Sequence, residues 1–404
     1  MDLKSGYPYW AVSNGLMYAF PRLEADARCD VAIIGGGVTA ALIADALIED
    51  GHEVVVLEQR DIGWGSTAAS TALLQYESDV TLGDLARQYG LTEALKSYRA
   101  SAETIGQLEA LSRRLRDVGF ERVHSVYYAS RAWHRRKLRS EFDLRAEHGF
   151  DVEWLGPEEL LERFGFRAPA AIVSTPAASI DPYRLTHRLF RALQGQGAQV
   201  FDRTCVERIE PSARKVDLVT GDGLRVRAGH VVVAAGYASQ QWLDRRFASN
   251  RSSYAFISDP LDPDVLASLR RTVMWETARP YLYLRTTPDC RVIVGGEDDA
   301  VDIPARRDGR VGKKAGKLME KLSGLFPQLQ PLIPAFSWAG TFAETKDGLP
   351  FMGANAQWGP RVLFAMAYGG NGITYSMVGR DLIRAAIKRR QHPLAALYSF
   401  DRMR

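Results

Sequence analysis

Short apolar runs and turns alternate in a regular order between Asp30 and Glu58. The segment reads VAII, then GGG, then VTAALIADALIEDG, then EVVVLE. Runs rich in Val and Ile favour buried strands of a parallel sheet, whereas the alanine-rich run between them favours a helix. The pattern therefore predicts a strand–helix–strand unit, in which Gly51 ends the helix.

Helices and strands are predicted throughout the rest of the chain. Apolar residues at helical spacing predict helices over residues 91–115, 131–148 and 311–325 and from residue 374 onward. Asp181 and Pro182 begin another helix, which extends to Gln194, because an Asp cap followed by Pro stabilises a helix start. Alternating runs predict strands at residues 125–129, 199–201, 205–209, 224–226, 231–234, 281–285, 291–294 and 362–365, with a hairpin turn at residues 221–223.

Composition and charge exclude several classes of protein. Hydrophobic residues make up 46% of the chain and charged residues 25%, as in ordinary folded proteins, and the net charge is only +4. We therefore expect no nucleic-acid partner. The chain shows no export signal and no apolar run long enough for a membrane span, and its three cysteines lack the spacing of a zinc site. These features predict a cytoplasmic protein without a metal site, and they leave the oligomeric state open.

The glycines of the first turn carry a binding motif. Gly35, Gly37 and Ala40 occupy the three positions of the G-x-G-x-x-G/A fingerprint, directly after a strand and at the start of a helix. The first glycine permits the tight turn, the second lets a pyrophosphate approach the backbone, and the small third residue lets helix and strand pack closely. Glu58 ends the second strand, where a carboxylate can accept both hydroxyls of a ribose. The segment therefore predicts a dinucleotide site.

Two other segments are candidates for the same site. The loop GWGSTAAST has small side chains, which leave backbone N–H groups free to reach a phosphate, and its candidate residues are Gly65, Ser66, Thr67 and Ser70. The alternative interpretation is that this segment is an ordinary Ser/Thr-rich loop that binds no ligand. The strand end VVVAAG and a preceding strand supply the candidates Val206, Ala235 and Gly236. No second glycine fingerprint is present, which disfavours a reductase with a separate nicotinamide domain.

The chain resembles the D-amino-acid-oxidase-like (DAO) superfamily of FAD enzymes, and within it glycine oxidase and gamma-glutamylputrescine oxidoreductase in particular. The segments that carry the resemblance are DVAIIGGGVTAALIADALIEDGHEVVVLE, GWGSTAAS, IDPYRLTHRLFRALQGQGAQV, VVVAAG, VIVGGEDD, WAGTFAETKDGLPFMG and FAMAYGGNGITYSMVGRDL. The resemblance implies an FAD-dependent enzyme that oxidises a C–H bond next to nitrogen in a small amine or amino-acid-like molecule, by hydride transfer to flavin N5.

The predicted fold class is α/β (α+β), with an FAD-binding Rossmann-like βαβ domain and an inserted mixed-sheet substrate domain. A chain of 404 residues exceeds what one hydrophobic core usually supports, so two domains are expected. We assign residues 1–82, 174–243 and 336–404 to the FAD-binding domain and residues 83–173 and 244–335 to the substrate domain.

The resemblance extends the FAD site to the C-terminal third of the chain. It implies that Asp347 belongs to a turn, with Thr345, Gly348 and Pro350, that approaches the flavin. It also implies a glycine turn and a helix start near the flavin ring, formed by Gly369, Gly370, Asn371, Gly372 and Ile373. A helix start there would stabilise negative charge on a reduced flavin.

Two departures from the family bear on substrate and acceptor. Phe342 stands where the glycine oxidase pattern has the arginine that holds the substrate carboxylate. In sarcosine oxidase a cysteine in the segment matching residues 338–347 tethers the flavin, and this chain has no cysteine there. Thr374 stands near the position at which sarcosine oxidase has the lysine that activates oxygen. We therefore expect noncovalent FAD and poor oxidation of simple α-amino acids, and the electron acceptor stays open.

Five residues are candidates for the substrate pocket. Tyr281, Tyr283 and Arg285 alternate along one predicted strand, so all three project from the same face and could form an aromatic wall with one anion-binding group. Alternatively, the three side chains face solvent, because a strand face exposed to water would show the same alternation. Trp338 and Phe342 could line the pocket or pack in the core. His124 and Tyr76 are weaker candidates.

Three other functions remain compatible with the sequence. The same flavin could oxidise a hydroxy acid or an alcohol, because this fold changes substrate by changing the walls of one pocket. The chain could also be a flavin-bearing subunit that passes electrons to a protein partner. A nicotinamide-dependent Rossmann dehydrogenase is the third, and the absorbance spectrum of the purified protein would distinguish it.

Overall fold

The computed structural model describes residues 3–403 of the chain. Its strands are β1 (Lys4–Gly6), β2 (Ala27–Ile34), β3 (Val54–Leu57), β4 (Leu73–Gln75), β5 (Glu121–Tyr128), β6 (Asp151–Leu155), β7 (Ala171–Ser179), β8 (Gln199–Phe201), β9 (Val206–Pro211), β10 (Val216–Thr220), β11 (Arg225–Val233), β12 (Ser249–Ser258), β13 (Thr272–Glu276), β14 (Tyr283–Thr286), β15 (Val292–Asp299), β16 (Pro334–Glu344), β17 (Phe351–Ala354) and β18 (Val362–Met366).

The α-helices of the same part of the chain are α1 (Tyr9–Asn14), α2 (Val38–Glu49), α3 (Ser66–Ala69), α4 (Leu82–Tyr89), α5 (Leu91–Leu115), α6 (Arg135–Glu147), α7 (Pro157–Phe164), α8 (Pro182–Gln194), α9 (Pro304–Asp308), α10 (Val311–Leu325) and α11 (Gly372–Ile387). The structure confirms the predicted helices at α5 and α10. Asp181 caps α8 as predicted, with its Oδ1 accepting the Arg184 N–H at 2.9 Å.

An eight-stranded sheet contains the predicted strand–helix–strand unit. Its central order is β17-β18-β11-β2-β3-β8, and β2 pairs in parallel with both β3 and β11. The β9–β10 hairpin extends from β11. Helices α2, α8 and α11 pack together with α5 in one apolar core, so the apolar strands and the alanine-rich helix of the sequence are all buried.

A ten-stranded sheet forms the second layer of structure. Its path is β1-β16-β12-β15-β14-β13-β5-β7-β4, with β6 paired to β7, and its neighbours are antiparallel apart from the parallel pair β5 and β13. Helix α10 packs against β12, β15 and β16 through an apolar face that includes Leu318 and Leu322. The predicted mixed sheet is therefore present.

The strands of this sheet do not follow the predicted domain limits. Strands β7 and β16 each lie wholly in the ten-stranded sheet, so boundaries at residues 174 and 336 would cut both strands. Strands β1 and β4 belong to this sheet as well, although they lie in the segment assigned to the FAD-binding domain. Pairing between distant segments decides this, and local sequence carries no sign of it. The division of the chain into two domains itself stays a prediction.

Three predicted elements are shifted in the structure. The segment 131–148 forms a short 3-10 turn, Ala132–His134, before α6, and the last helix begins at Gly372 rather than at residue 374. Tyr281 precedes β14, because the Leu282 N–H donates to the Glu276 side chain instead of joining the strand ladder.

Candidate active site

A cavity of about 610 Å³ is lined by residues of both sheets. This volume is typical of a site for a cofactor and a small ligand. The strands β2, β3 and β11 run in parallel and end at its wall, where Gly35, Glu58 and Ala235 follow them. The carboxyl ends of parallel strands are the usual location of ligand sites in such sheets.

The first turn has the conformation that the glycine fingerprint predicts. Gly35 has φ = 117°, and a Cβ there would lie 2.4 Å from the carbonyl oxygen of Ala234. Gly37 lines the cavity at the start of α2, where the Val38 N–H donates to Thr67 Oγ1 at 3.0 Å. Ala40 is fully buried and does not line the cavity, so its role is to keep α2 close to the sheet.

Glu58 joins the end of β3 to the glycine turn. Its Oε2 accepts the Gly36 N–H at 2.7 Å, and its Oε1 accepts the Arg60 N–H at 2.9 Å. Burial raises the pKa of Glu58, although the two backbone N–H groups oppose that rise. The carboxylate therefore holds the turn in shape while it faces the cavity.

The loop after β3 brings small polar side chains to the cavity wall. The predicted residues Gly65, Ser66, Thr67 and Ser70 all lie there, as do Val206, Ala235 and Gly236. Within residues 3–403, Ser66 Oγ and Gln75 Oε1 are buried on this wall without a hydrogen-bond partner. Buried polar atoms are normally hydrogen-bonded, so these two atoms indicate a polar ligand.

The start of α11 closes another part of the wall with Gly370, Asn371, Gly372 and Ile373. The Asn371 side-chain amide donates to the carbonyl oxygens of Gln75 and Glu77, at 3.1 and 2.7 Å. Its side chain therefore anchors the end of β4 and the segment directly after it.

Asp347 does not line the cavity, which corrects its assignment to the cofactor site. Its carboxylate accepts hydrogen bonds from Tyr89 Oη at 2.5 Å and from Arg402 Nε at 2.7 Å, and both acidic oxygens are used. These partners come from α4 and from the last turn of the chain, so Asp347 stabilises the fold. The sequence motif placed the residue near the flavin, but the side chain points to Arg402.

Four of the five predicted pocket residues, Tyr281, Tyr283, Trp338 and Phe342, line the cavity. Tyr281 Oη donates to Asp79 Oδ1 at 2.8 Å, and Tyr283 Oη lies 2.9 Å from Ser253 Oγ. Trp338 Nε1 donates to the carbonyl oxygen of Ala69 at 2.9 Å and thereby fixes the loop beneath it.

Arg285 lies outside the cavity wall, so its predicted role as an anion-binding group is corrected. Its Nε and Nη2 donate to the carbonyl oxygens of Thr71 and Ile180, at 2.7 and 2.9 Å, and its guanidinium lies over the Trp10 ring. Burial lowers the pKa of Arg285 to about 10. The side chain does share a strand with Tyr283, but the N-terminal segment and the loop at residue 71 cover it.

The two weaker candidates also lie elsewhere. Tyr76 is buried and stacks on Phe150, with ring centroids 5.3 Å apart. His124 lies on β5 and lines a separate hollow.

The structure adds cavity residues that the sequence analysis did not single out. Asp79, Ser253, Trp275 and Asp298 come from four distant parts of the chain and meet at the Tyr281 and Tyr283 side chains. The three acidic residues directly after the strand run VIVGG were the one available signal, and they include Asp298 without indicating a role.

The structure adds two observations on metals and membranes. The described residues contain no group of three or more His, Cys, Asp or Glu side chains arranged to hold a metal ion. Of the helices between residues 3 and 403, none is both long and apolar enough to cross a bilayer.

The glycine cradle, the unpartnered polar atoms and the carboxylate of Glu58 fit FAD. Gly35, Gly36 and Gly37 all line the cavity, and a Cβ at Gly36 would clash with the Ile62 side chain at 2.4 Å, so this turn presents bare backbone to the cavity. The wall runs continuously from this turn to residues 370–373 and the tyrosines. FAD needs both a pyrophosphate site and space for its ring system, and this one cavity offers both.

The chain is similar in sequence to two enzymes. The chain is 23% identical over 380 residues to glycine oxidase of Bacillus subtilis (strain 168), covering 92% of this chain and 96% of that protein. It is 24% identical over 395 residues to gamma-glutamylputrescine oxidoreductase of Escherichia coli (strain K12), covering 94% of this chain and 88% of that protein.

A solved structure and a family profile complete the comparison. The structure of glycine oxidase from Geobacillus kaustophilus has the same fold, with a TM-score of 0.79 at 22% identity over 92% of this chain and 98% of that one. The profile of the DAO family, described as FAD dependent oxidoreductase, matches residues 30–385. The chain therefore belongs to the DAO family of FAD-dependent oxidoreductases.

Proposed function

We propose that the protein oxidises a C–H bond next to nitrogen in a small amine, with noncovalently bound FAD. The observation that carries this proposal is the composition of the cavity wall around Tyr281, Tyr283 and Phe342. Phe342 lines the cavity where the glycine oxidase pattern has an arginine, and Arg285 cannot replace it because its guanidinium is bound to backbone carbonyls.

The distribution of charge on the wall supports an amine. Among the described cavity residues, Arg60 is the one cationic side chain, and it lies two residues from Glu58, which accepts its backbone N–H. The wall near the tyrosines carries the carboxyl groups of Asp79 and Asp298 instead. A substrate carboxylate at that wall would meet like charge, whereas an amine would not.

The residues of the chain bind, orient and shield the reactants. FAD, when bound, would supply the chemistry by accepting the hydride. Gly35, Gly37 and Glu58 would hold the nucleotide half, and residues 370–373 would border the ring system. Tyr283 and Trp338 would position the substrate between apolar walls that exclude water.

Anaerobic mixing of the holoenzyme with amines, α-amino acids and hydroxy acids tests this function directly. We expect bleaching of the flavin by primary or secondary amines, at rates at least tenfold above those of glycine and D-alanine. Readmission of air then shows whether oxygen is the acceptor. A hydroxy acid as the fastest reductant would support alcohol oxidation instead, and fast reduction by glycine would contradict the role given to Phe342.

The Phe342→Arg variant tests the role of Phe342 by a gain of activity toward glycine. It places a guanidinium on the cavity wall, so oxidation of glycine should rise relative to that of a simple amine. Arg285→Ala should not change this ratio, because Arg285 lies outside the wall.

We expect acid or heat precipitation to release all of the FAD from the protein. Residues 338–347 contain no cysteine, and Cys205 is the one cysteine among the described cavity residues. Burial raises the pKa of the Cys205 thiol, and the charges of Glu207 and Glu58 add to the rise. The check is flavin absorbance in the supernatant of wild type and Cys205→Ser. Flavin that stays with the precipitated wild-type protein would contradict noncovalent binding.

A further inference from the structure

Two carboxyl groups face the tyrosines in the cavity, and oxidation of a simple amine requires neither of them. Asp79 follows β4, and Asp298 lies near the end of β15. The charge of Asp79 contributes to the raised pKa of Asp298, so the two groups are close enough to interact. Arg279 is a cation whose charge acts on Asp298, and it does not line the cavity.

Asp79 already has partners for both oxygens. Its Oδ1 accepts from Tyr281 Oη and its Oδ2 from the Gly370 N–H, each at 2.8 Å. Arg279 stacks its guanidinium 4.4 Å from the Tyr281 ring centroid and donates to the Asp79 carbonyl oxygen at 2.7 Å. One positive charge therefore lies behind Asp79, outside the cavity wall.

Asp298 is the carboxyl group that still needs a partner. Its Oδ1 is buried and has no hydrogen-bond partner among residues 3–403. Burial raises the pKa of Asp298 to about 6. The charges of Asp79 and Glu344 add to the rise, and the Ser253 hydroxyl and the charge of Arg279 oppose it. A buried carboxylate with an unpartnered oxygen is unfavourable unless a cation pairs with it.

A glycine brings an aromatic ring beside this carboxyl group. A Cβ at Gly295 would lie 2.2 Å from the Tyr283 ring, so only glycine lets that ring lie across β15 toward Ser253. Tyr281 and Tyr283 have ring centroids 5.7 Å apart, and Trp275 is stacked on Tyr127 at the same wall. Aromatic faces beside a carboxylate are a favourable environment for an organic ammonium group.

We propose that Asp298 binds an ammonium group of the substrate between Tyr281, Tyr283 and Trp275. The bound ammonium is separate from the nitrogen that reacts, because a nitrogen next to the departing hydride must keep a free electron pair. The substrate class is therefore a diamine or another amine with a second, remote cationic group. This inference rests on the proposed amine oxidation and adds a substrate class to it.

Binding of two probes of opposite charge tests the cation site without any oxidation. The tert-butylammonium ion and pivalate share a tert-butyl group and carry opposite charges, and tert-butylamine has no hydrogen on the carbon next to nitrogen. We expect the ammonium probe to perturb the flavin absorbance spectrum of the holoenzyme at concentrations at least tenfold below those at which pivalate does. Equal or tighter binding of pivalate would overturn the proposal.

Variants then assign the binding to Asp298. Asp298→Asn keeps the shape of the side chain, and we expect it to weaken the ammonium probe at least tenfold without weakening pivalate. The matched control is Glu344→Gln, an exposed carboxylate outside the cavity that is paired with Arg251 and whose charge also acts on Asp298. It should change binding of the ammonium probe less than threefold. Unchanged binding in Asp298→Asn, with a normal unfolding temperature, would overturn the proposal.

Kinetics with diamines and monoamines distinguish this inference from the proposed function. We expect α,ω-diamines to reduce the flavin with a higher kcat/KM than monoamines of equal length, and Asp298→Asn to remove that preference mainly through KM. If the ammonium probe binds through Asp298 but no amine reduces the flavin, the cation site stands and the proposed oxidation fails. If monoamines and diamines react equally and the probes bind equally, amine oxidation stands and the cation site fails.

Discussion

Glu58→Ala should weaken binding of FAD by about 100-fold or more. Glu58 faces the cavity and accepts N–H groups of Gly36 and Arg60, so it shapes the turn and presents charge to the ligand. A hydrogen bond to a charged group contributes about 1.5–3 kcal/mol, and two such bonds to ribose hydroxyls would be lost. A loss of about 3 kcal/mol corresponds to roughly a 150-fold change in Kd.

Titration of the apoprotein with FAD, followed by flavin fluorescence, measures this effect. Glu53→Ala is the control, since Glu53 is exposed, precedes the same strand and lies off the cavity wall. Its affinity for FAD should match that of the wild type. If Glu58→Ala retains FAD as tightly as Glu53→Ala, Glu58 does not hold the ribose.

Asp347→Ala should lower the free energy of unfolding by about 3–5 kcal/mol, the usual cost of leaving one member of a buried ion pair without its partner. The side chains of Asp347 and Arg402 are 5% and 3% exposed, and their closest atoms are 2.7 Å apart. Tyr89 would lose its acceptor in the same variant. Urea unfolding followed by circular dichroism measures the difference.

An exposed ion pair provides the control for Asp347. Asp222 and Arg22 are 2.9 Å apart with side chains about half exposed, so Asp222→Ala should cost no more than about 1 kcal/mol. Equal costs for the two variants would show that burial of the Asp347 pair contributes little to stability.

The contribution of Asp347 should also depend on pH. Burial alone would raise its pKa, but the hydrogen bonds and charge of Arg402 outweigh this and hold the pKa below its ordinary value. A lowered pKa in the folded state means that the stabilisation is present above the ordinary pKa and is lost as the pH falls through the lowered value. The difference between wild type and Asp347→Asn should therefore persist at neutral pH and shrink only below about pH 4.

Local sequence was sufficient for the dinucleotide unit. The fingerprint Gly35, Gly37 and Ala40, the strands around it and Glu58 depend on residues close together in the chain, and the structure has them as predicted. The same is true of α5, α10 and the capped start of α8, because helix periodicity and capping are local properties. Glycine with positive φ at residue 35 follows from the turn itself.

Tertiary structure decided the residues around the substrate. The alternation of Tyr281, Tyr283 and Arg285 predicted that the three side chains share one face of the strand. In the structure, Arg285 packs on Trp10 and donates to the Thr71 carbonyl oxygen, and it therefore lies outside the cavity. Asp347 was placed by a motif, and its contact with Arg402 joins residues 55 positions apart. Short-range patterns carry no information on which distant segment covers a side chain.

The sequence by itself therefore determined that a dinucleotide cradle forms, since its glycine turn and Glu58 lie within one strand–helix–strand unit and are joined there by the Gly36 N–H. Only the tertiary structure decided which groups surround the remaining cavity, because Asp79, Ser253, Trp275 and Asp298 come together through pairing of β12, β13, β14 and β15 and through the contact of residue 79 with Gly370. Strand pairing between remote segments is set by the sum of many weak contacts, and no single local pattern records it.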